Sequence, residues 1–261
     1  MGIIEVLILA VIEGLTEFLP ISSTGHMIIA EKLLHVPETD FTKLFTVAIQ
    51  LGAILAVVVL YFKKFVDFSR WQFYVKLIVA VIPAIILGAL FSSKIDALLE
   101  SSTTVAISLL LGGVLFLMID NYFKQPTVDR EENISYKKGF IIGIWQCIAM
   151  IPGVSRSAAS IIGGMQQGLT RKVAAEFSFF LAVPTMAAAT GYKLLKGYQT
   201  FTPEHIKLLL IGNVVAFVVA IFAIKFFIGF LQKHGFRLFG YYRIVLGVLL
   251  ILLIISGYMP K

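Results

Sequence analysis

Six stretches of this chain, approximately 41–62, 74–92, 103–122, 172–195, 207–228 and 240–258, are apolar enough and long enough to cross a bilayer, which takes about 20 helical residues. Nothing else in the sequence constrains the fold as strongly. In hydrocarbon every backbone N–H and C=O must find its partner inside the protein, so lipid-facing segments have to be helical. The composition agrees: 59% of residues are hydrophobic and only 14% are charged, against roughly a quarter charged in soluble domains. We expect an all-α polytopic membrane protein, a single integral membrane domain over 1–261.

Two further apolar segments do not fit as plain spans. Residues 2–19 with 21–35, and 139–151 with 155–168, form two pairs of short or polar arms, broken at Pro20 and Pro152 beside serines. Irregular backbone at membrane depth must be buried in protein or line a wet cavity. The spacing therefore predicts two re-entrant helical hairpins beside six transmembrane helices.

Loop charges orient this arrangement. If both hairpins return to the side they entered, loops 63–76, 123–138, 168–173 and 225–243 share one side and hold 14 Lys/Arg. The other side holds seven: Lys32, Lys43, Lys94, Lys193, Lys196, Lys207 and Lys261. The richer side is then cytoplasmic, and the first hairpin opens outward. Much of the net charge of +7 is thus a topology signal, and no nucleic-acid partner is expected. One hairpin from each side implies an inverted repeat, with halves at approximately 1–122 and 139–258. A shift of 132 residues supports it, placing Pro20 on Pro152, Ser23 on Ser155 and Phe45 on Phe177. Such repeats put sites at the midplane, where broken helices meet. Cys147 is the only cysteine, which excludes a disulfide framework. The opening Met-Gly-Ile-Ile-Glu lacks the basic region of a secretory signal.

The chemistry concentrates at the two breaks. Glu13 and Glu17, four residues apart, lie on one helical face. Buried together they need a compensating cation, a shared proton or a facing arginine. A divalent metal is one solution, and service as a general base is another. Ser22, Ser23 and Thr24 follow Pro20. Such residues favour helix N-caps, and a helix N-terminus at depth also suits an anion. His26, three residues past Ser23, falls on the same face as that serine. Beside the two glutamates this favours acid–base or nucleophilic work over a structural role. At the second break, Arg156 stands between Ser155 and Ser157 after Pro152-Gly153. Its planar fork of donors suits phosphate, Gly153 would allow close backbone approach, and the Ser155–Ser157 amides would open a helix aimed at the anion. The plainer alternative for Arg156 is a salt bridge to Glu13 or Glu17. An anionic and a cationic half-site in an oily protein point to a phosphate-handling membrane enzyme.

Three motifs carry a family resemblance: Glu13-Gly-Leu-Thr-Glu17-Phe-Leu-Pro-Ile-Ser22-Ser23-Thr24-Gly-His26, Ile49-Gln50-Leu51-Gly52, and Pro152-Gly-Val-Ser155-Arg156-Ser157. In them the chain resembles the bacterial undecaprenyl-pyrophosphate phosphatase (bacitracin-resistance) family over nearly its whole length. The resemblance implies hydrolysis of the C55-isoprenyl pyrophosphate lipid to its monophosphate, the carrier of cell-wall synthesis. It further implies a homodimer among the lipids of the bacterial inner membrane, a site open to the outer, periplasmic face, and dependence on a divalent cation, Mg or Ca. Carried over by position, the family's acidic motif falls on Glu13 and Glu17, its serine and histidine on Ser23 and His26, and its arginine on Arg156. Thr46 departs from the pattern, standing where a glutamate would be expected, and is left out of the site.

The expected site therefore has Glu17, Ser23, His26 and Arg156 as catalytic groups. Ser22, Thr24, Gly153, Ser155, Arg156 and Ser157 would bind the substrate, and Glu13 with Glu17 would hold the metal. Ser23 is the expected nucleophile, activated by Glu17 or His26, with His26 or water as alternative attackers. The rival reading is a transporter or flippase of the lipid phosphate, since inverted repeats with broken helices are also the mark of secondary carriers. The clustered acid–base groups exceed what anion binding alone requires.

Overall fold

The computed structural model describes residues 1–99, 101–197 and 201–259. Among them, six helical stretches are long and apolar enough to cross a membrane: Asp40–Leu60, Trp71–Phe91, Ser102–Tyr122, Arg171–Gly197, Pro203–His234 and Arg237–Ile255. They match the six expected from hydropathy. Their exposed faces carry side chains such as Leu111, Leu210, Val245 and Ile255, apolar surface suited to lipid rather than water. The chain is a multi-pass membrane protein.

The first pair of short helices is α1 (Ile3–Thr16) and α2 (Ser23–Leu33), which pack on each other. One face of α1 exposes Ile4, Leu7, Ile8, Val11 and Leu15, while Val6, Leu9, Ala10 and Glu13 are buried on the other. That i, i+3, i+4 spacing directs the carboxylate inward. The first span is α3 (Asp40–Ala48) continued by α4 (Gln50–Leu60), followed by the short α5 (Phe62–Val66). The next helix, α6 (Trp71–Leu99), contains Pro83 and leaves helical geometry at Phe91 (φ −119°, ψ 16°). Helix α7 (Ser102–Tyr122), capped by the Ser101 side chain, completes the first half.

The second half repeats the order. Helices α8 (Tyr136–Cys147) and α9 (Arg156–Gln166) form the second short pair, and α10 (Arg171–Gly197), α11 (Pro203–His234) and α12 (Arg237–Ile255) are its spans. Helices α1 and α8 begin 133 positions apart, as do α2 and α9, which are both 11 residues long. Helix α1 packs on α11 as α8 packs on α6, and α7 packs on α12. The caps correct the register read from sequence. Ser22 (φ 69°) caps α2 and Ser155 (φ 75°) caps α9, both in the left-handed region. The starts of these two helices thus lie 133 residues apart, an offset that sets Ser23 against Arg156 rather than Ser155.

A second correction concerns loop charge. Residues 225–243 are not a loop: α11 runs to His234, and α12 begins at Arg237. Lys225 lies within α11, and Arg243 is a fully buried residue of α12. With Arg243 on neither side, the count becomes 13 against seven, still strongly biased; Lys261 lies outside the described residues. The polar segment between the halves is anchored by charge. Glu131 accepts from Lys64 and from Arg70 (2.7 Å), and Lys76 Nζ donates to the Glu131 and Glu132 carbonyls.

The core is aromatic. Phe18, Phe73, Phe116, Phe177, Phe179, Phe180 and Phe227 are all buried in one cluster, and Phe18 meets Phe179 edge-on at 5.4 Å. Between α4 and α11, Asn213 Oδ1 accepts from the Gly52 backbone N–H at 2.7 Å, an interhelical bond of the kind that joins membrane helices.

Candidate active site

The loops of the two short helix pairs meet, and their polar residues converge on Glu17. Glu17 is the C-cap of α1 and is 7% exposed. Its Oε2 accepts a hydrogen bond from Ser23 Oγ at 2.7 Å. Its Oε1 accepts from Arg156 Nη2 at 2.9 Å. Nucleophile candidate, base candidate and guanidinium thus form one chain of contacts spanning both loops. Ser23 and Arg156 reach it from equivalent places, each being the first residue of a helix capped by a left-handed serine. Ser22 Oγ accepts from Gly25 N and Ser155 Oγ from Ala158 N, both at 3.3 Å. The caps are the ordinary N-terminal kind, which leaves Ser22 and Ser155 with a definite structural task beside any contact with substrate.

Arg156 is held on its other edge by α10. Nη1 donates to the Ser178 carbonyl at 3.0 Å and lies 3.3 Å from Ser178 Oγ, and the guanidinium stands 5.6 Å from the Phe18 ring centroid. Its Nε is buried without a hydrogen-bond partner, as is Oε1 of Glu13. Glu13 is 1% exposed, one turn before Glu17 on α1. A buried polar atom left unpaired costs about 1–3 kcal/mol. One spare donor and one spare carboxyl oxygen beside the Glu17 hub are therefore where an anion and a cation would be satisfied. Glu13 and Glu17 suit a divalent ion of the magnesium kind, which takes one or two carboxylates and completes its shell with water and phosphate oxygens. They do not make an all-protein cage, because the described residues include no group of three or more His, Cys, Asp or Glu that could hold a metal.

The remaining expected residues have distinct placements. His26 does not bond Ser23 among the described contacts. Its Nδ1 lies 2.7 Å from the Ser22 carbonyl and its Nε2 2.7 Å from Tyr242 Oη, with the two rings stacked. A carbonyl only accepts, so Nδ1 carries the proton and Nε2 accepts from the tyrosine, an assignment inferred from the network. Ser157 Oγ donates to the Leu19 carbonyl at 3.0 Å, tying the second loop to the first, and lies 3.2 Å from Ser155 Oγ. Gly153 (φ 87°) faces α7: a Cβ there would stand 2.6 Å from the Val105 carbonyl oxygen. Its lack of a side chain serves that packing. Thr24 is half-buried in the first turn of α2. Thr46 bonds back to the Lys43 carbonyl within its own helix.

Residues 6–249 match the family described as bacitracin resistance protein BacA. The chain belongs to this family. Curated relatives carry the name undecaprenyl-diphosphatase. The protein of that name from Flavobacterium psychrophilum is 60% identical over 256 residues, covering 97% of this chain and 96% of the relative. The one from Porphyromonas gingivalis is 53% identical, covering 98% of each. The one from Acetivibrio thermocellus is 44% identical, covering 96% of this chain and 97% of the relative. Membership makes the chain an enzyme of the phosphatase class.

Three residues at this candidate site escaped the sequence reading. Ser178, which holds Arg156, sits in the aromatic run Phe177-Ser178-Phe179-Phe180, where one hydroxyl inside a span was the available signal. Tyr242 reads as an interfacial aromatic, but its hydroxyl meets His26. Arg243 was counted as a loop charge and lies beneath both loops.

Proposed function

We propose that the protein hydrolyses undecaprenyl pyrophosphate to undecaprenyl phosphate and inorganic phosphate, recycling the lipid carrier of cell-wall synthesis and thereby conferring bacitracin resistance. The observation that carries this reading is the Ser23–Glu17–Arg156 chain of contacts across the two loops. A nucleophile within 2.7 Å of a carboxylate, beside a guanidinium, is the equipment of phosphoryl transfer.

In this mechanism Ser23 Oγ attacks the terminal phosphorus. Glu17 takes the serine proton through the existing hydrogen bond, and the bond from phosphorus to the bridging oxygen breaks. Undecaprenyl phosphate leaves with that oxygen and takes the proton from Glu17, and Ser23 carries the phosphoryl group. Glu17, ionised again, deprotonates water, which displaces Ser23 and yields inorganic phosphate, and the proton returns from Glu17 to the Ser23 oxygen. Arg156 exchanges part of its contact with Glu17 for the phosphate oxygens as negative charge gathers there. A divalent ion at Glu13 and Glu17 would supply charge neutralisation to the diphosphate. The geometry favours Glu17 over His26 as the activator, because His26 is engaged by Ser22 and Tyr242.

Helices α1, α2, α8 and α9 have 14, 11, 12 and 11 residues, short of the about 20 that a crossing needs. We read the two pairs as re-entrant hairpins. Three spans per half is an odd number, so the second half would start on the opposite side, which makes the repeat inverted. The positive bias of 13 against seven supports a site open toward the outer face of the inner membrane. Association into a homodimer is supported by the family resemblance alone.

The test is phosphate release from undecaprenyl pyrophosphate by the purified protein, with and without chelator, beside Ser23→Ala. Chelator-sensitive release, with a phosphoserine trapped in wild type and both lost in Ser23→Ala, is the expected result. Wild-type turnover in Ser23→Ala would discard the serine step, and no release from folded wild type with metal would discard the reading.

A further inference from the structure

Arg243 heads the large side chains that are fully buried, with 0% exposure. It makes no ion pair among the described residues. Its guanidinium instead donates to four backbone carbonyls. Nη1 reaches Pro20 O at 3.2 Å and Val154 O at 3.1 Å, and Nη2 reaches Ser108 O at 3.1 Å and Gly153 O at 2.9 Å. One side chain of α12 thus grips the loop that carries Glu17 and Ser23, the loop that carries Arg156, and α7 behind them.

A buried cation is a poor device for stability alone, since apolar side chains of similar volume commonly serve as well or better. The carbonyls it selects suggest another task. Pro20 stands two residues before the left-handed Ser22, and Gly153 and Val154 stand two and one before the left-handed Ser155. Such a conformation is sparsely populated for a residue with a Cβ and persists only where its surroundings impose it. Each of those serines is followed at once by a residue of the site, Ser23 or Arg156.

We propose that Arg243 is a positioning residue for the phosphatase reaction: its fork locks the two loops in register and so sets the placement of Ser23 and Glu17 relative to Arg156. This rests on the functional reading above. Two side-chain contacts also join the loops, Arg156 with Glu17 and Ser157 with the Leu19 carbonyl. The first must loosen as Glu17 receives the serine proton and Arg156 turns to phosphate. The Arg243 clamp is made entirely of main-chain acceptors that take no part in the chemistry, so it holds while the ion pair changes. Gly112 of α7 belongs to the same device. A Cβ there would fall 2.3 Å from Arg243 Nη2 and 2.8 Å from its Cζ, so only glycine leaves room for the fork.

The experiment measures kcat and KM for undecaprenyl pyrophosphate in detergent with wild type, Arg243→Lys and Gly112→Ala. Each is normalised to folded protein by gel filtration and thermal unfolding. Lysine keeps the charge but not the planar fork; alanine at 112 keeps the arginine and displaces it. A displacement of the order of 1 Å costs up to about 10²-fold in rate. We expect kcat to fall at least about tenfold in both variants while KM stays within about threefold. The double variant should be little worse than the poorer single one, because both break one device. A folded Arg243→Lys with wild-type kcat, or a change confined to KM, would overturn the proposal. So would loss of folded protein with unchanged kcat per folded molecule, the mark of a purely structural role. If Arg243→Lys does not fold, Gly112→Ala decides. An inactive wild type would sink the functional reading and this inference with it, whereas an active wild type with unaffected variants sinks the inference alone.

Discussion

Replacing Glu17 by glutamine changes the hub of the site with almost no change of shape. The carboxylate now serves two donors at once, Ser23 Oγ at 2.7 Å and Arg156 Nη2 at 2.9 Å. An amide has one carbonyl oxygen and one NH₂, so it can accept from only one of those groups through its oxygen and presents a donor to the other. The larger effect is chemical. Loss of a positioned general base costs about 10²–10⁴-fold, or about 3–5 kcal/mol of barrier at 1.36 kcal/mol per decade. The smaller effect is on stability. Breaking a buried ion pair costs about 3–5 kcal/mol when the surviving charge is stranded. Here Arg156 retains the Ser178 carbonyl and is 12% exposed along its side chain. Glu13, one turn away, also loses a charged neighbour. The net loss should therefore be about 1–3 kcal/mol, lowering Tm by several degrees. Phosphate release at saturating substrate and thermal unfolding, read on the same sample, separate the two effects. We expect kcat to fall at least about 10²-fold in protein that remains folded. A folded Glu17→Gln enzyme within about tenfold of wild type would refute Glu17 as the base and return that role to His26 or water.

Two further expectations concern stability. Asn213→Leu strips the acceptor from the Gly52 N–H between α4 and α11 and should cost about 1–3 kcal/mol; an unchanged Tm would show that the bond contributes nothing net. Glu132 lies outside the spans, and its carboxyl is held below the ordinary 4.5, first by its own backbone N–H and then by Lys64 and Arg70. A depressed folded pKa stabilises the fold above the unfolded value and loses that contribution as pH falls through the folded one. Hydrogen exchange of residues 123–135 should therefore accelerate, beyond its intrinsic pH dependence, only below about pH 4.5, and protection that holds down to about pH 3 would contradict this.

Hydropathy and the two proline breaks made the six spans and both polar loops legible, because burial in lipid leaves its mark on every residue of a segment. Glu13, Glu17, Ser23 and Arg156 stood out for the same reason: charge is costly there. Arg243 was misread by that logic. It directly follows Tyr241-Tyr242, near Lys233 and Arg237, and so looks like the basic, aromatic rim of a span. Only the packing of α12 on α7 shows it pointing inward to four carbonyls. Backbone acceptors carry no residue signature, so nothing local could announce them. The register of the repeat failed more instructively. Matching identical residues gave 132, because proline was set opposite proline at Pro20 and Pro152; the left-handed caps, Ser22 and Ser155, give 133.

At that register the two halves differ where they must. Ser23 stands opposite Arg156, and Glu13 stands opposite Gln146, which has the same shape without the charge. The likeness extends to detail: Glu13 and Gln146 are both buried, and each leaves its Oε1 without a partner. Had the second loop kept the first one's acidic pattern, four carboxylates would crowd where the loops touch, in a region too dry to screen them. Glutamine opposite Glu13 and Met150 opposite Glu17 remove that repulsion, and arginine opposite serine adds an attraction, the Arg156–Glu17 contact. These differences give two similar helix ends an acidic side and a basic side, as the proposed reaction requires. Contact between the loops and division of labour between them are thus one electrostatic requirement, met by residues at equivalent positions.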